Sequence, residues 1–575
     1  MPHPVEVESC DMASRLDRRL QVAWALSTAG LSPISLALAM TDWYFHALGS
    51  PGALTQHTVD QWTQSIAAFS GKLQVPPSDP RYADPAWQTW PFSAFANLHR
   101  VHENWWQCTT NLRGMEHHHQ EVVSFLARQW LDMLSPSNCP WLNPAVLHTT
   151  RETGGLNLVQ GLAYAMDDWE KGQGLGTPSI PRNPYRPGIE VACTPGVVVH
   201  RNHLVELIQY TPRTAQVQRE PIFIVPSWIM KFYILDLSPN NSLVKYLVSQ
   251  GHTVFILSWR NPDASDALLD MQDYLELGVF NPLAEITQRT GGVPIHTMGY
   301  CLGGTLLSIG VSALARPQAV QEAQHIAPIA SMSLLAAQLD FHDAGELGVF
   351  LDEAQVSFLE DLMSEKGYLS GKQMANSFEY LRARDLFWSA HVREYWLGKP
   401  EVPNDLMAWN ADVTRMPAAM HSQYLHAFYL HNALAEGRYE VEGEPVSLGD
   451  IRAPIFAVGT VRDHVTPWMS AYQVMRLTAT EVTFVLASGG HNVGVISPPG
   501  VANRSYQQLT TQAGAHIESP ATWQHTAPTT AGSWWPAWHD WLMAHSSGSV
   551  PASTRQPTTS WGPAPGDYVM VRYDD

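Results

Sequence analysis

The sequence predicts an α/β fold with a mostly parallel central sheet, preceded by a helical N-terminal domain. Three observations carry that expectation. Beyond Gly188 short β-rich runs alternate with helix-like stretches. Several runs are almost continuously apolar, as strands covered on both faces must be. One of them passes through a glycine-rich turn directly into a helix. The 575 residues exceed what one hydrophobic core supports, so more than one domain is expected. Apolar residues are 45% and charged residues 15%, which builds a large core and is far from a disordered composition. The 34 Lys+Arg against 53 Asp+Glu leave a net charge of -19, which repels phosphate and argues against nucleic-acid binding.

The first 190 residues read as helical and irregular. Leu20–Thr41 has no charged side chain, but Ser27, Gly30, Ser32, Pro33 and Ser35 interrupt it. Glu6, Glu8, Asp11 and Asp17 precede it, so neither a signal peptide nor a spanning helix fits, and a buried helix is expected. Val122, Val123, Phe125, Leu126, Trp130, Leu131 and Leu134 recur at near-helical spacing, predicting an amphipathic helix over Glu121–Leu134. Pro136 and Pro140 follow and stop it. The triplet His117-His118-His119 cannot converge on one ion, because adjacent helical side chains diverge by about 100°. A solvated helix start is expected there, and no metal site is assigned. The five cysteines, Cys10, Cys108, Cys139, Cys193 and Cys301, form no C-x-x-C pair and fit a reducing cytoplasm.

Strands are expected at Val197–Tyr210, Pro221–Val225, His252–Ser258, Pro294–Met298, Ala330–Ala336, Pro454–Val458 and Val482–Leu486. Asn241–Gln250 and Leu302–Leu314 are helix-like. Residues 191–545 are thus expected to form one catalytic domain. An inserted cap is expected at about 345–445, rich in helix formers and aromatics, and a flexible tail of Ser, Thr, Pro and Gly over 546–575.

The strongest motif is Gly299-Tyr-Cys301-Leu-Gly303-Gly304, between a strand and a helix. In a G-x-S-x-G elbow the nucleophile occupies a sharp strand-to-helix turn, and the flanking positions must be small. Cys301 stands at the tip, and the amide of Leu302 can face a developing oxyanion. The alternative is a glycine-rich turn holding a buried cysteine. A phosphate loop is excluded, since no Lys-Ser or Lys-Thr follows the glycines. A thiol nucleophile needs an acid and then a histidine further along the chain. Asp463 follows the Pro454–Val458 strand, and His491 follows the Val482–Leu486 strand. Three candidate residues after three strands make a triad.

These segments resemble the polyhydroxyalkanoate (polyhydroxybutyrate) synthases over most of the chain. Gly299–Thr305 looks like that family's lipase-like box, and Val225–Leu237 with Asn241-Ser-Leu-Val is similar to its upstream signature. Ser258–Pro262, Asp340–Glu346, Trp409–Pro417, Asp463–Trp468 and Gly490–Pro499 also match, and Asp84–Phe92 with Trp105-Trp106 resembles the N-terminal domain. The resemblance implies a single-subunit synthase with an α/β-hydrolase fold, a mostly parallel central sheet and an inserted cap. It makes Cys301 the nucleophile, His491 the general base and Asp463 its partner. It implies that His464 assists the acid, that Ile229 supplies the second oxyanion amide and that Arg382 contacts substrate or holds the cap. Ser227 replaces a commoner Pro, Arg384 a commoner Asn, and Asn492-Val493 alters the residues after the histidine, which leaves acyl chain length open.

The implied substrate is an (R)-3-hydroxyacyl-CoA, and the products are polyester and free CoA. No cofactor is implied beyond the coenzyme A thioester that enters as substrate. The implied partners are the growing polyester chain, the granule surface and a second copy of the chain in a homodimer, within the cytoplasm. Two alternatives stay open: a thioesterase or depolymerase with the same triad, and a non-enzymatic granule coat. Ten of the 22 Trp precede Gly188. Most are expected to pack in the core, and part of the set to face polyester or granule.

Overall fold

The computed structural model describes residues 19–22, 24, 31–76, 79–172, 184–316, 325–371, 373–374, 387–400, 402–557 and 560–572. Two compact units result. One comprises Trp24–Arg182 and Asn376–Pro403, and the other Met1–Ala23, Asn183–Ala375 and Asn404–Asp575.

The first unit is helical: α1 (Pro33–Gly49), α2 (Pro51–Phe69), α3 (Phe92–Thr110), α4 (His117–Met133), α5 (Pro144–Glu152) and α6 (Leu156–Gly172). Local chemistry starts these helices. Pro33, Pro51 and Pro144 occupy first-turn positions, where no amide donor is missed. Asn143 Oδ1 accepts from the Ala145 amide at 3.0 Å, and Glu116 Oε2 from the His119 amide at 2.9 Å. A small core forms around Val75, Tyr82, Trp87 and Ala96. Beside it Arg81 joins Asp79, Glu103 and Asp132 at 2.7, 2.8 and 3.2 Å.

Two expectations change in this unit. The apolar segment before Asp42 is not a buried helix. Residues 19–22 and 24 are helical and α1 begins at Pro33; of these only Val22, Ser35 and Ala39 are buried, and Leu38 and Phe45 are 53% and 64% exposed. An uncharged stretch shows that a helix has little to desolvate, not that a partner covers it. Nor do most of the early tryptophans pack inside. Trp87 is fully buried, whereas Trp24, Trp62, Trp90, Trp130, Trp141 and Trp169 are exposed. Helix α4 buries Val122, Val123 and Phe125 but leaves Trp130 and Leu134 outside, because its apolar stripe is wider than the surface available to it.

The second unit is built on β1 (Gly196–Arg201), β2 (Val205–Tyr210), β3 (Ile222–Val225), β4 (Val254–Trp259), β5 (Ile295–Tyr300), β6 (Ile329–Leu335), β7 (Ile455–Thr460), β8 (Val482–Ala487), β9 (Ser505–Thr511), β10 (Thr529–Ala531) and β11 (Gly562–Pro563). They form one eleven-stranded sheet in the order β10-β9-β8-β7-β6-β5-β3-β4-β2-β1-β11. The six central strands, β4-β3-β5-β6-β7-β8, run parallel. They are buried almost throughout, which is why several of them read as nearly continuous apolar runs. The marginal strands are antiparallel. The single run expected at Val197–Tyr210 is a hairpin, turned by Asn202, whose Oδ1 accepts the Leu204 and Val205 amides at 2.9 Å each.

Crossing helices include α7 (Leu243–Ser249) and α8 (Leu302–Ala315), and further on lie α9 (Glu353–Ser364), α10 (His491–Val495) and α11 (Trp535–Ala544). The insertion anticipated at 345–445 is divided between the units. Residues 387–400 pack with α6, where Asn157 Nδ2 donates to the Trp396 carbonyl at 2.7 Å and the Tyr395 hydroxyl to Asp168 at 2.8 Å. The segment anticipated as a loose tail adds β11 to the sheet edge beside β1. Its backbone, rather than its unremarkable side chains, makes these contacts, so composition did not reveal them. No helix among the described residues is long and apolar enough to cross a membrane.

Candidate active site

The parallel strands bring the candidate residues to one edge of the sheet. Strand β5 ends at Tyr300, and Cys301 follows with φ 53° and ψ -128°, a left-handed conformation that costs a non-glycine residue energy. The turn is held from both sides. The Cys301 amide donates to the Leu335 carbonyl and the Gly304 amide to the Cys301 carbonyl, each at 2.9 Å. The glycines answer to space. A Cβ at Gly299 would lie 2.3 Å from Gly304 Cα, and one at Gly303 would lie 2.2 Å from the Val225 carbonyl oxygen. The second close approach shows that the loop leaving β3 lies against the start of α8.

Strands β7 and β8 are neighbours, so Asp463 and His491, which follow them, meet. His491 Nδ1 lies 2.8 and 3.0 Å from the two Asp463 carboxylate oxygens. The carboxylate also accepts the Val465 and Thr466 amides at 3.0 and 2.8 Å and the Thr460 hydroxyl at 3.2 Å. This leaves the other ring nitrogen of His491 for Cys301, whose side chain acts electrostatically on the ring. Burial alone would lower the His491 pKa, but the Asp463 carboxylate and the adjacent Cys301 raise it well above the ordinary histidine value. Burial raises the Asp463 pKa, and His491 outweighs that and brings it below the ordinary carboxylate value. The arrangement can take a proton from the thiol and hold the resulting imidazolium.

Helix α10, which carries His491, is braced by tryptophan. Trp534 Nε1 donates to the Gly494 carbonyl at 2.9 Å, and Trp535 Nε1 to the Val495 carbonyl at 3.0 Å. The Tyr300 ring lies 5.7 Å from the His491 ring, and its hydroxyl donates to Asn492 Oδ1 at 2.8 Å. Asn492, one of the departures noted in the sequence, thereby ties the histidine loop to the strand carrying the elbow. Opposite stand Tyr424 and Tyr429, their hydroxyls 3.0 Å apart. Burial pushes both phenol pKa values up, and for Tyr424 the contact with Tyr429 adds to it.

The structure thus brings Cys301, His491 and Asp463 together. Leu302 opens α8, where first-turn amides have no partner within the helix. Ile229 lies in the loop after β3 and is buried. The backbone carbonyl of His464 accepts the Glu346 amide at 3.0 Å, so this residue ties the acid's loop to the 345–346 turn. Arg382 and Arg384 lie outside the described residues. Sequence reasoning missed the bracing by Trp534 and Trp535 and the contacts of Thr414, which lies inside a quoted motif but carries no residue type that signals a role. His119 of the histidine triplet pairs with Asp42 at 2.9 Å. Among the described residues, Glu353, His426 and His431 place one ligand atom each within 4.8 Å of one another and could hold a metal ion.

A mostly parallel sheet with a strained cysteine at a strand-to-helix elbow, and an aspartate–histidine pair on later strands, defines an enzyme of the α/β-hydrolase fold. Residues 220–498 match the model of that fold. Residues 78–247 match the poly-beta-hydroxybutyrate polymerase (PhaC) N-terminus, and residues 11–52 a second poly-beta-hydroxybutyrate polymerase N-terminal model. A poly(3-hydroxyalkanoate) polymerase of Methylorubrum extorquens is 38% identical over 92% of this chain and 87% of its own. The poly(3-hydroxyalkanoate) polymerase subunit PhaC of Rhizobium meliloti is 38% identical over 89% and 84%, and that of Cupriavidus necator 35% identical over 88% and 86%. The chain belongs to the poly(3-hydroxyalkanoate) polymerase family, whose members are acyltransferase-type enzymes.

Proposed function

We propose that this polymerase joins (R)-3-hydroxyacyl-CoA units into a polyester and releases CoA through an acyl thioester on Cys301. The observation that carries the mechanism is the buried His491–Asp463 pair, 2.8 Å long, beside the cysteine of the elbow, which acts electrostatically on the ring. His491 takes the thiol proton, the sulfur attacks the thioester carbonyl, and the C–S bond to CoA breaks as the proton passes to the leaving CoA sulfur. Exchange of one thioester for another is nearly neutral, so the acyl group stays activated. His491 then takes the proton of a 3-hydroxyl as that oxygen attacks an acyl thioester carbonyl; the thioester C–S bond breaks, the proton passes to the departing sulfur, and the chain grows by one ester. Asp463 orients the ring and stabilises the imidazolium. The amides of Leu302 and Ile229 receive the oxyanion, a contribution of about 3–4 kcal/mol per donor in comparable sites.

The thioester is itself the activated group, so this chemistry calls for no cofactor. Arg382 is assigned to the CoA or acyl end of the substrate, and His464 to support of the acid. The exposed aromatic residues of the helical unit supply an apolar surface for the polyester granule, which supports a cytoplasmic enzyme working at that surface, with a second copy as its partner.

The test follows CoA release and precipitated polymer together during incubation with 3-hydroxybutyryl-CoA. Wild type is expected to yield both, and Cys301→Ala neither while staying folded. Substantial CoA release by Cys301→Ala overturns the mechanism. CoA with free hydroxy acid and no polymer identifies a thioesterase instead.

A further inference from the structure

The loop that carries Ile229 is held from outside the sheet. Residues 228–233 and 409–414 lie side by side. Met230 bridges Val413 in antiparallel fashion, Trp409 Nε1 donates to the Lys231 carbonyl at 2.7 Å, and the Tyr233 hydroxyl donates to Asp412 Oδ2 at 2.9 Å. Thr414 makes two more of these contacts. Its amide donates to the Ile229 carbonyl at 3.2 Å, and its hydroxyl to the Trp228 carbonyl at 2.5 Å. Thr414 is 1% exposed, so no water replaces either bond.

The hydroxyl contact sets a direction. Among the described residues the cis peptide bonds are Trp90-Pro91 and Ala564-Pro565, so the Trp228–Ile229 bond is trans. In a trans peptide the carbonyl and the N–H point opposite ways. Pinning the Trp228 carbonyl to Thr414 therefore aims the Ile229 N–H away from residues 409–414. The same loop begins over the nucleophile helix, where a Cβ at Gly303 would lie 2.2 Å from the Val225 carbonyl and 2.5 Å from that of Pro226. A short hydrogen bond to the carbonyl also polarises the peptide and strengthens its N–H as a donor.

We propose that Thr414 is a positioning residue that aims the Ile229 N–H at the oxygen that becomes charged when Cys301 is acylated. The inference rests on the reading of Cys301 as nucleophile and Ile229 as oxyanion donor. An oxyanion donor acts where charge develops, so a misaimed amide slows turnover and leaves substrate binding alone. It follows that residues 409–414 control the chemistry without touching the reacting atoms, since any shift of that segment carries the donor with it.

The experiment compares wild type, Thr414→Val and Thr414→Ser in the full chain. It measures kcat and KM for CoA release from 3-hydroxybutyryl-CoA, and the rate at which iodoacetamide captures Cys301. Alkylation by iodoacetamide is displacement at a saturated carbon and forms no oxyanion, so it reports only the thiol and its base. Thr414→Val is expected to lower kcat about 10–100-fold, less than the roughly 100–1,000-fold for outright loss of one oxyanion donor because the amide is misaimed rather than removed, with KM and alkylation rate unchanged. Thr414→Ser, which keeps the hydroxyl, is expected to restore most of kcat. Undiminished turnover in Thr414→Val overturns the proposal. So does a parallel loss of alkylation and turnover, which marks disruption of the whole site, or a loss in Thr414→Ser equal to that in Thr414→Val. If Thr414→Val does not fold, Thr414→Ala carries the same expectation. CoA release surviving in Cys301→Ala removes the underlying reading, and it is seen separately from any Thr414 result.

Discussion

In the sheet unit, Trp228, Trp259, Trp409, Trp523, Trp534, Trp535 and Trp538 are buried, whereas in the helical unit Trp24, Trp62, Trp90, Trp130, Trp141 and Trp169 stand in solvent. The buried set is mostly tied down by its indole nitrogens. Trp259, Trp409, Trp534, Trp535 and Trp538 each donate a hydrogen bond of 2.7–3.0 Å, and two of these bonds end on the helix that carries His491. Among the described residues, Trp62, Trp90, Trp130, Trp141 and Trp169 of the exposed set make no indole hydrogen bond of that kind. One residue type thus performs two physical tasks. Inside, a rigid ring fills volume and its single donor selects one backbone carbonyl. Outside, the same ring offers its apolar area to the solvent.

The contrast is broken most severely at Trp535. Trp535→Ala is expected to cost about 3–5 kcal/mol of stability through the cavity it leaves, read as a fall in the urea midpoint. Trp535→Phe keeps most of the volume and leaves the Val495 carbonyl unpaired, at about 1–3 kcal/mol, with turnover falling as His491 loses its support. Full activity and stability in Trp535→Phe would show that the indole donor is idle.

Next in size is the ion pair that those tryptophans brace. His491, with its raised pKa, contributes stability that is present below the ordinary histidine value and lost as pH rises through the raised one. Asp463, with its lowered pKa, contributes stability that is present above the ordinary carboxylate value and lost as pH falls through the lowered one. Asp463→Asn is therefore expected to be destabilised by about 1.5–3 kcal/mol between those two ordinary values. The gap should narrow as pH climbs past the raised histidine value. Thermal melts of both proteins across pH check this, and a gap that widens toward alkaline pH would contradict it.

The smallest effect belongs to the exposed rings. Trp62→Ser and Trp141→Ser, at residues 71% and 73% exposed, are expected to change stability by less than about 0.5 kcal/mol. Both should nevertheless weaken retention on a polyhydroxybutyrate film. A large stability loss would mean that these rings pack as the buried ones do.

What was legible in the sequence follows the range of the forces involved. The elbow is a local object. Gly299, Gly303 and Gly304 are demanded by contacts within a few residues or with the adjacent strand, so six consecutive letters announce it. The central strands announce themselves because both faces are covered. Asp463 and His491 could be placed because each ends a parallel strand. The helical unit was harder, since an apolar stripe such as that of α4 records affinity for a partner without recording whether this chain supplies it. Thr414 was invisible because its partner, Trp228, lies 186 residues away and is met through a main-chain oxygen, which leaves no mark on residue type. The segment after Ser546 misled for a related reason: the β11 pairing and the Glu206 contacts with the Asp567 and Tyr568 amides are main-chain contacts.

That last segment has a consequence for how the enzyme comes into being. The Lys231 ammonium, two residues beyond Ile229, donates to the Val571 carbonyl at 2.7 Å across 340 residues of chain. The tryptophans that brace His491 also come late, at 534 and 535. A ribosome that has already translated Cys301, Asp463 and His491 still holds a polypeptide whose catalytic centre lacks its fastenings. On the mechanism proposed for Cys301, turnover then awaits residues 534–571, which supply those fastenings.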